Sequence, residues 1–339
     1  MRKNFTSRLA ALAAVCLLAS AQHAFAWLDA GHSIVAMIAW EDLTPKTKAA
    51  VTEALKGHPR YEKDLLLDLP EGSTGEQVDR YAFAKAATWP DMVRLKENPM
   101  NAAFSHPLWH FIDIDYVLDD QPVPPKKEPK EKGPQNILEA MDKNLGDLKN
   151  PDASAQDKAL AVCWIEHLVG DIHQPLHAST LISKQFPEGD AGGNNQVVVR
   201  DPPYQDSKMK LHLLWDSLPG DFASPELDSY EAMGLRTDPN FSRDKLKDQL
   251  AVNDFKAWVD ETHALAVKYA YLDGKLKTAT TKEANASVRA TVPFVPKGYI
   301  RASEHVAMKQ LALAGYRLAD LLNRTYDPQN APPVPTTQP

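Results

Sequence analysis

The chain has 339 residues, of which 43% are hydrophobic and 24% charged, a composition typical of a globular protein. This composition excludes a disordered chain, a fibre and a protein with many membrane spans. The formal net charge of −7 argues against a broad basic surface for nucleic acid. The 26 prolines against 15 glycines favour helices joined by proline-marked turns over a glycine-rich β architecture.

The first residues have the three parts of a secretory signal peptide. Arg2, Lys3 and Arg8 form a basic start without acidic residues, and the apolar run 9–21 follows. The run is too short to span a membrane and leads to Ala24-Phe25-Ala26, a pattern typical of cleavage sites. We therefore predict that residues 1–26 are a signal peptide, cleaved between Ala26 and Trp27, and that the mature protein is secreted or periplasmic. The alternative is an uncleaved anchor helix.

Export changes the meaning of the two cysteines. Cys16 lies in the predicted signal peptide, so the mature chain keeps only Cys163 and has no internal disulfide. Stability must then come from the size of the core or from bound metal. Cys163 lies within an apolar run and is predicted to be a core residue rather than a nucleophile.

Hydrophobic periodicity is mainly helical along the mature chain. Apolar residues three and four positions apart predict helices over 31–43, 46–55, 78–87, 136–148, 154–169, 210–217, 255–272 and 299–324. Thr44 and Pro45 predict an N-cap and first turn of the second helix. The run 196–199 is the clearest strand signal. We expect an all-α, mainly helical fold with at most a small β-hairpin.

The mature chain is predicted to form one domain. It spans residues 27–326 and contains no internal repeat. Residues 119–135, rich in proline and lysine, are predicted to be an exposed, mobile loop, and residues 327–339 a disordered tail.

Two His/Asp pairs have the spacing of a helical metal site. His167 precedes Asp171 by four residues, and His212 precedes Asp216 by four. Residues four apart lie on one face of a helix, so an imidazole and a carboxylate can reach the same ion. One such pair is weak support for a metal site; two in one exported chain are stronger.

Further ligand types lie nearby in the sequence. Pro175 is expected to end the helix after Asp171 and to let His177 turn back toward the same cavity. Asp91 and His110 lie in tryptophan-containing segments upstream, and His32 lies near the new N-terminus. Cleavage would also free the α-amino group of Trp27, which can chelate a metal together with its own carbonyl oxygen.

Each of these residues alone has a simpler explanation. A single buried His is more often a hydrogen-bonded core residue, and a single Asp near a helix start is usually a cap. Together, five imidazoles, three carboxylates and the Trp27 terminus are sufficient for three zinc ions, provided that one carboxylate bridges two of them.

These residues closely resemble the zinc-dependent single-strand-specific nuclease family, of the mung bean and P-one/S-one type, which is distantly related to bacterial zinc phospholipase C. The resemblance runs from Trp27 to about Tyr326. The missing disulfides suggest a bacterial member. The segments that carry the resemblance to the family are Trp27 with Gly31-His32, Trp89-Pro90-Asp91, Trp109 to Asp113, His167 to His177, Gly189 to Asn194 and Leu211 to Asp216.

The resemblance implies a helical bundle of the phospholipase C and zinc nuclease type with three Zn²⁺. The implied ligands are Asp91, His110, His167 and Asp171 for the first zinc, His177, His212 and Asp216 for the second, and Trp27, His32 and Asp171 for the third. It implies cleavage of the bond between phosphorus and O3′ by a zinc-bridging hydroxide attacking in line, leaving 5′-phosphates.

The resemblance also implies roles around the metals. Asp91, Asp171 and Arg94 would be catalytic, with Arg94 near the phosphate. Phe111 would stack on an unpaired base and Asp113 would bind the base edge. The alternative for these two is that Phe111 is a core residue and Asp113 orients a ligand histidine.

The implied substrates are single-stranded RNA and DNA and nucleotides with a 3′-phosphate. We expect a monomer with no obligate protein partner and no stable membrane association. Two other functions remain open at this point. One is a phospholipase C that uses the same metal cluster, and the other is a zinc-binding surface protein without catalytic activity.

Overall fold

The computed structural model describes residues 27–125, 132–200, 208–220, 225–286 and 291–331. Most of these residues are helical, which confirms the predicted fold class. The α-helices are α1 (Asp29–Asp42), α2 (Pro45–Leu55), α3 (Glu76–Met92), α4 (Asn101–Phe104), α5 (Ile137–Lys149), α6 (Ala155–Ile172), α7 (Leu211–Asp216), α8 (Pro225–Thr237), α9 (Lys247–Leu250), α10 (Phe255–Leu265), α11 (Thr281–Asn285) and α12 (Tyr299–Tyr326).

Helices α1, α6 and α12 form the centre of the bundle. Helix α1 packs against α12, α3 and α8, while α6 packs against α5, α3 and α2. Both α1 and α6 are buried on every side along most of their length, as their nearly continuous apolar sequences require. Cys163 lies in α6 and is fully buried, in agreement with its prediction as a core residue.

Helix ends follow the signals in the sequence. The hydroxyl of Thr44 accepts a hydrogen bond from the backbone N–H of Thr47, and Pro45 opens α2, as predicted. Helix α6 begins at a capping box in which Ser154 and Asp157 bond to each other's backbone. The same helix ends at Ile172, and a 3₁₀ turn then begins at Pro175 and ends at Ala178. A second 3₁₀ turn, Pro107–His110, precedes the first strand.

The described residues contain two small sheets, where the sequence predicted at most a small β-hairpin. Strands β1 (Asp115–Val117) and β2 (Thr180–Ile182) pair in parallel, with Asp115 opposite Thr180. A second sheet has the order β4-β3-β5, from β3 (Gln196–Val199), β4 (Lys208–Lys210) and β5 (Ala279–Thr280), and is antiparallel. Strands of two or three residues give too little alternation to be recognised from sequence.

The predicted domain limits need one correction. Asp327, assigned to a disordered tail, is buried and accepts a hydrogen bond from the Thr44 hydroxyl at 2.9 Å. The folded domain therefore extends past residue 326. The predicted signal peptide 1–26, residues 126–131 of the predicted loop and residues 332–339 of the predicted tail lie outside the described residues.

Within the described ranges, no helix is both long enough and apolar enough to cross a membrane.

Candidate metal centre

Eight side chains predicted from the sequence as metal ligands meet in one buried place, which we call the His/Asp cluster. They come from four helices and from both 3₁₀ turns, so the packing of the bundle brings them together. The members are His32 of α1, Asp91 of α3, His110 and His177 of the turns, His167 and Asp171 of α6, and His212 and Asp216 of α7.

Asp171 lies at the centre of the cluster. Its Oδ2 is 3.1 Å from His110 Nδ1 and 3.2 Å from His167 Nε2. Its Oδ1 faces the other way and is 3.3 Å from His32 Nε2. One carboxylate therefore contacts two groups of possible metal ligands, one on each oxygen. This is the arrangement expected of a carboxylate that bridges two ions.

Asp91 and the two histidines nearest to it form the first of these groups. The Asp91 Oδ1 atom is 3.8 Å from His110 Nδ1 and 3.9 Å from His167 Nε2. Those two nitrogens are 2.9 Å apart. Separations of this size allow all three donors to reach a single ion.

His177, His212 and Asp216 form a separate group. The Nδ1 of His177 donates to the His110 carbonyl at 2.6 Å, and the Nδ1 of His212 donates to the Gly192 carbonyl at 2.5 Å. Each ring therefore carries its proton on Nδ1. The two Nε2 lone pairs then face each other across 3.1 Å, with Asp216 Oδ2 3.6 Å from His212 Nε2. Facing lone pairs repel unless a cation lies between them, so the geometry fits a metal ion.

A glycine-rich loop supplies the carbonyl that orients His212. Gly192 has φ +59°, and a Cβ there would lie 2.5 Å from the Leu176 carbonyl oxygen, so only glycine fits. Asp190 holds the loop, because its carboxylate accepts from the Gly193 N–H at 2.8 Å and from the Gln196 amide at 2.8 Å. The sequence showed the glycine-rich run, but not the role of Asp190.

The predicted N-terminal residue of the mature chain lies beside the cluster. The indole of Trp27 is fully buried and donates to the Gly170 carbonyl at 3.1 Å, and the Leu28 N–H donates to the Asp216 carbonyl at 3.1 Å. Gly170 also makes room for His32, since a Cβ at this glycine would lie 2.7 Å from the imidazole. These contacts hold the backbone of residues 27 and 28 next to Asp171, which follows Gly170, and next to Asp216.

The donor set of the cluster fits zinc. Nitrogen and carboxylate oxygen are common zinc ligands, and six such atoms in the cluster are buried without a hydrogen-bond partner among the described residues. These atoms are both ring nitrogens of His32, His110 Nε2, Asp91 Oδ2, Asp171 Oδ1 and Asp216 Oδ2. Unsatisfied buried polar atoms are costly, and the convergence of these atoms at one place fits a bound cation.

Burial keeps most of the imidazoles neutral. It lowers the pKa of His110 to about 4 and that of His212 to about 3, and it lowers the pKa of His32 and His177 as well. Neutral imidazole is the form that binds a metal. His167 differs, because the Asp171 and Asp91 carboxylates outweigh its burial and raise its pKa.

The carboxylates of the cluster divide into two kinds. Burial opposes the charge of Asp171, but the His167 and His177 imidazoles hold its pKa well below the usual range. Burial instead raises the pKa of Asp216 far above its usual range, although the Gln174 amide bonds to the carboxylate. Asp216 therefore needs a bound cation more than Asp171 does in order to be charged near neutral pH.

The predicted substrate-binding residues lie at the edge of the cluster. Arg94 is nearly buried, and its guanidinium donates to Asp91 Oδ1 at 3.0 Å. Phe111 and Asp113 continue the chain directly from His110, with Phe111 half-buried and Asp113 exposed. Phe111 is thus not a fully buried core residue.

A profile of the S1/P1 nuclease family matches residues 27–327. The chain belongs to the S1/P1 nuclease family. The match covers the whole domain and begins at Trp27, the predicted first residue of the mature chain. Membership of this family makes the protein a phosphodiester hydrolase.

Similarity to individual family members also covers most of the chain. Endonuclease 3 of Arabidopsis thaliana is 25% identical over 324 residues, which are 89% of this chain and 90% of the relative. Nuclease S1 of Aspergillus oryzae is 25% identical over 332 residues, or 90% of this chain and 94% of the relative. Endonuclease 5 of Arabidopsis thaliana is 29% identical over 180 residues, about half of each chain.

Proposed function

We propose that the protein is a zinc-dependent endonuclease and 3′-nucleotidase that cleaves single-stranded RNA and DNA to 5′-phosphates. The observation that carries this proposal is the His/Asp cluster, in which three groups of ligand atoms converge on the surroundings of Asp171. Two of these groups contact Asp171 itself, and the third lies beside it. A family phosphodiesterase with these donors has the ligands for a multi-zinc site.

The proposed site holds three zinc ions. The donor groups of the cluster support two full sets of side-chain ligands and one partial set. The proposed ligands are Asp91, His110, His167 and Asp171 for the first ion, His177, His212 and Asp216 for the second, and His32, Asp171 and the backbone of Trp27 for the third. Asp171 would bridge the first and third ions.

The third set depends on export. His32 and Asp171 are the only two side chains assigned to the third set. Their missing partners are the α-amino nitrogen and carbonyl oxygen of Trp27, whose position beside Gly170 supports this role. The amino group becomes available only when the segment before Trp27 is removed. The proposed enzyme is therefore secreted or periplasmic.

The chemistry divides between the metal and the chain. When bound, the zinc ions supply an activated water for in-line attack on phosphorus and offset the charge of the departing O3′. Arg94 is held by Asp91 so that its guanidinium can bind a phosphate oxygen beside the metal centre. The negative charges of the Asp171 and Asp91 carboxylates would hold the zinc ions in place.

Selectivity for single strands is assigned to the segment after His110. Phe111 offers a half-exposed aromatic face, and Asp113 offers an exposed carboxylate two residues further on. Stacking on an aromatic ring requires an unpaired base and contributes about 1–3 kcal/mol per base. Because the metal charge is local, such a site can bind a few phosphates although the protein is acidic overall. We propose a monomer without a protein partner or a stable membrane contact.

A two-substrate assay tests the proposed reaction. The mature protein, starting at Trp27 and loaded with zinc, is offered a single-stranded oligonucleotide and a phosphatidylcholine dispersion in parallel, each with and without chelator. We expect chelator-sensitive release of 5′-mononucleotides and no release of phosphocholine. Phosphocholine release with an intact oligonucleotide would instead assign a phospholipase C, and the role of Phe111 in base stacking would be wrong.

An N-terminal extension tests the third zinc set. A protein that keeps one extra alanine before Trp27 has its α-amino group in the wrong place, so we expect it to bind one zinc ion fewer and to lose at least about 10²-fold in kcat/KM. Zinc content and kinetics are compared with those of the protein beginning at Trp27. Full activity and full zinc content of the extended protein would contradict the ligand role of the Trp27 terminus.

A further inference from the structure

A glutamine at the back of the His/Asp cluster bonds to two parts of the same ligand group. Gln174 is fully buried between the end of α6 and the turn Pro175–Ala178. Its Nε2 donates to Asp216 Oδ1 at 2.6 Å, and its Oε1 accepts from the Leu176 N–H at 2.6 Å. The side chain thus links α7 to the turn that carries His177.

The two bonds fix the orientation of the amide. A carboxylate oxygen can only accept, and a backbone N–H can only donate, so exchanging the amide oxygen and nitrogen would lose both bonds. Gln174 therefore holds Asp216 by Oδ1 and leaves Oδ2, the oxygen that lies 3.6 Å from His212 Nε2, without a hydrogen-bond partner among the described residues. A single free oxygen aimed at the imidazoles favours binding of the metal through that atom alone.

The other bond sets the position of His177. Leu176 directly precedes His177, so capping the Leu176 N–H fixes the first turn of the short 3₁₀ segment. The imidazole then bonds to the His110 carbonyl at 2.6 Å. One amide side chain thereby positions two of the three side chains proposed to bind the second zinc ion.

Hydrogen bonds to α6 and α12 fix the segment before Gln174. His173 is buried and donates through Nδ1 to the Val169 carbonyl at 2.7 Å, while its Nε2 accepts from Arg317 of α12 at 2.8 Å. A guanidinium can only donate, so Nε2 of His173 is the acceptor in this bond. The glutamine is therefore pre-positioned rather than drawn into place by a metal.

We propose that Gln174 is a positioning residue that sets the affinity and the ligand geometry of the second zinc set, formed by His177, His212 and Asp216. The proposal rests on the trizinc function proposed above. Residues that orient metal ligands typically change metal affinity by about 10–100-fold when they are replaced. Because the side-chain hydrogen bonds of Gln174 among the described residues go to Asp216 and to the turn that carries His177, the effect is expected at one ion and not at all three.

The test counts zinc in the Gln174→Met variant, which keeps the length of the side chain and removes both bonds. Zinc content is measured for the whole mature chain over a series of buffered free-zinc concentrations, together with the melting temperature. We expect one of the three ions to need an about 10–100-fold higher free-zinc concentration for half occupancy than in the wild type. The zinc affinities of the other two sites should not change.

A matched variant separates positioning from general stability. Asn323→Leu removes another buried amide, which donates to the Asp42 carbonyl and accepts from the Thr44 N–H but bonds to no ligand side chain. It is expected to lower the melting temperature without changing zinc affinity. If Gln174→Met does not fold, Gln174→Glu keeps the acceptor for the Leu176 N–H and loses the amide donor to Asp216, and the same loss of one ion is expected.

The outcomes distinguish this inference from the proposed function. A wild type with three ions and a Gln174→Met protein that binds all three equally well, with only a lower melting temperature, would overturn the positioning role alone. A wild type that binds no zinc would overturn the trizinc assignment, and the positioning role with it.

Discussion

Replacing Asp171 by asparagine is expected to reduce kcat/KM by about 10³-fold or more, a loss of at least about 4 kcal/mol of transition-state stabilisation. The reason lies in its two oxygens, which approach His32 on one side and His110 and His167 on the other. Asparagine keeps the shape but removes the charge and offers one good ligand atom instead of two. Both ions that share the bridge should therefore be displaced or weakly bound.

Asp216→Asn is the matched control for this prediction. It makes the same chemical change on a buried carboxylate of the cluster that approaches only one group of histidines. We expect it to retain more activity than Asp171→Asn and to lose one zinc ion rather than two. Kinetics and zinc content of the two purified proteins decide the matter. Equal losses of activity and of zinc would show that Asp171 does not bridge.

The parts of the site predicted from sequence are those with local geometry. The spacing of His167 and Asp171 and of His212 and Asp216 determines a helix face, and the structure places each pair on one helix. Pro175 predicts the break after α6 for an equally local reason. These signals need no knowledge of how the helices pack.

The parts that were missed depend on tertiary contacts. Gln174 lies between two predicted ligands, Asp171 and His177, yet nothing in its neighbours shows that its amide reaches Asp216, 42 positions away. The carbonyl groups of Ala87, His110 and Gly192, which orient three imidazoles, carry no side-chain signal at all. The interactions that orient the ligands thus come from backbone and amide groups that only the fold can bring together.

The end of the domain also depends on a tertiary contact that local sequence signals do not show. The end of the chain after residue 326 lacks apolar periodicity, which predicted a tail from Asp327 onward. Asp327 is nevertheless fixed, because its carboxylate accepts from the hydroxyl of Thr44, the residue that caps α2 at the other end of the sequence. A single polar contact between distant parts of the chain can extend a domain without leaving a periodic signal.

Removing zinc is expected to abolish activity and to lower the melting temperature together. When the free-zinc concentration is 100 times the dissociation constant of a site, the ion bound there adds about 2.7 kcal/mol to the free energy of unfolding. For a domain of this size about 1 kcal/mol corresponds to about 2–4 °C, so the loss of three ions should lower the melting temperature by at least about 10 °C. The apo protein also keeps buried carboxylates and facing imidazole nitrogens without a cation, which adds to the destabilisation.

Scanning calorimetry of the mature protein, with and without excess chelator, measures this effect. Re-addition of zinc must restore both activity and melting temperature, which separates removal of the metal from irreversible damage. The location of the metal follows from combining the two readouts. Ions on the surface would be needed for activity while contributing little to stability, whereas ions held by fully buried side chains must contribute to both. Loss of activity in chelator with an unchanged melting temperature would therefore contradict the buried cluster as the zinc site.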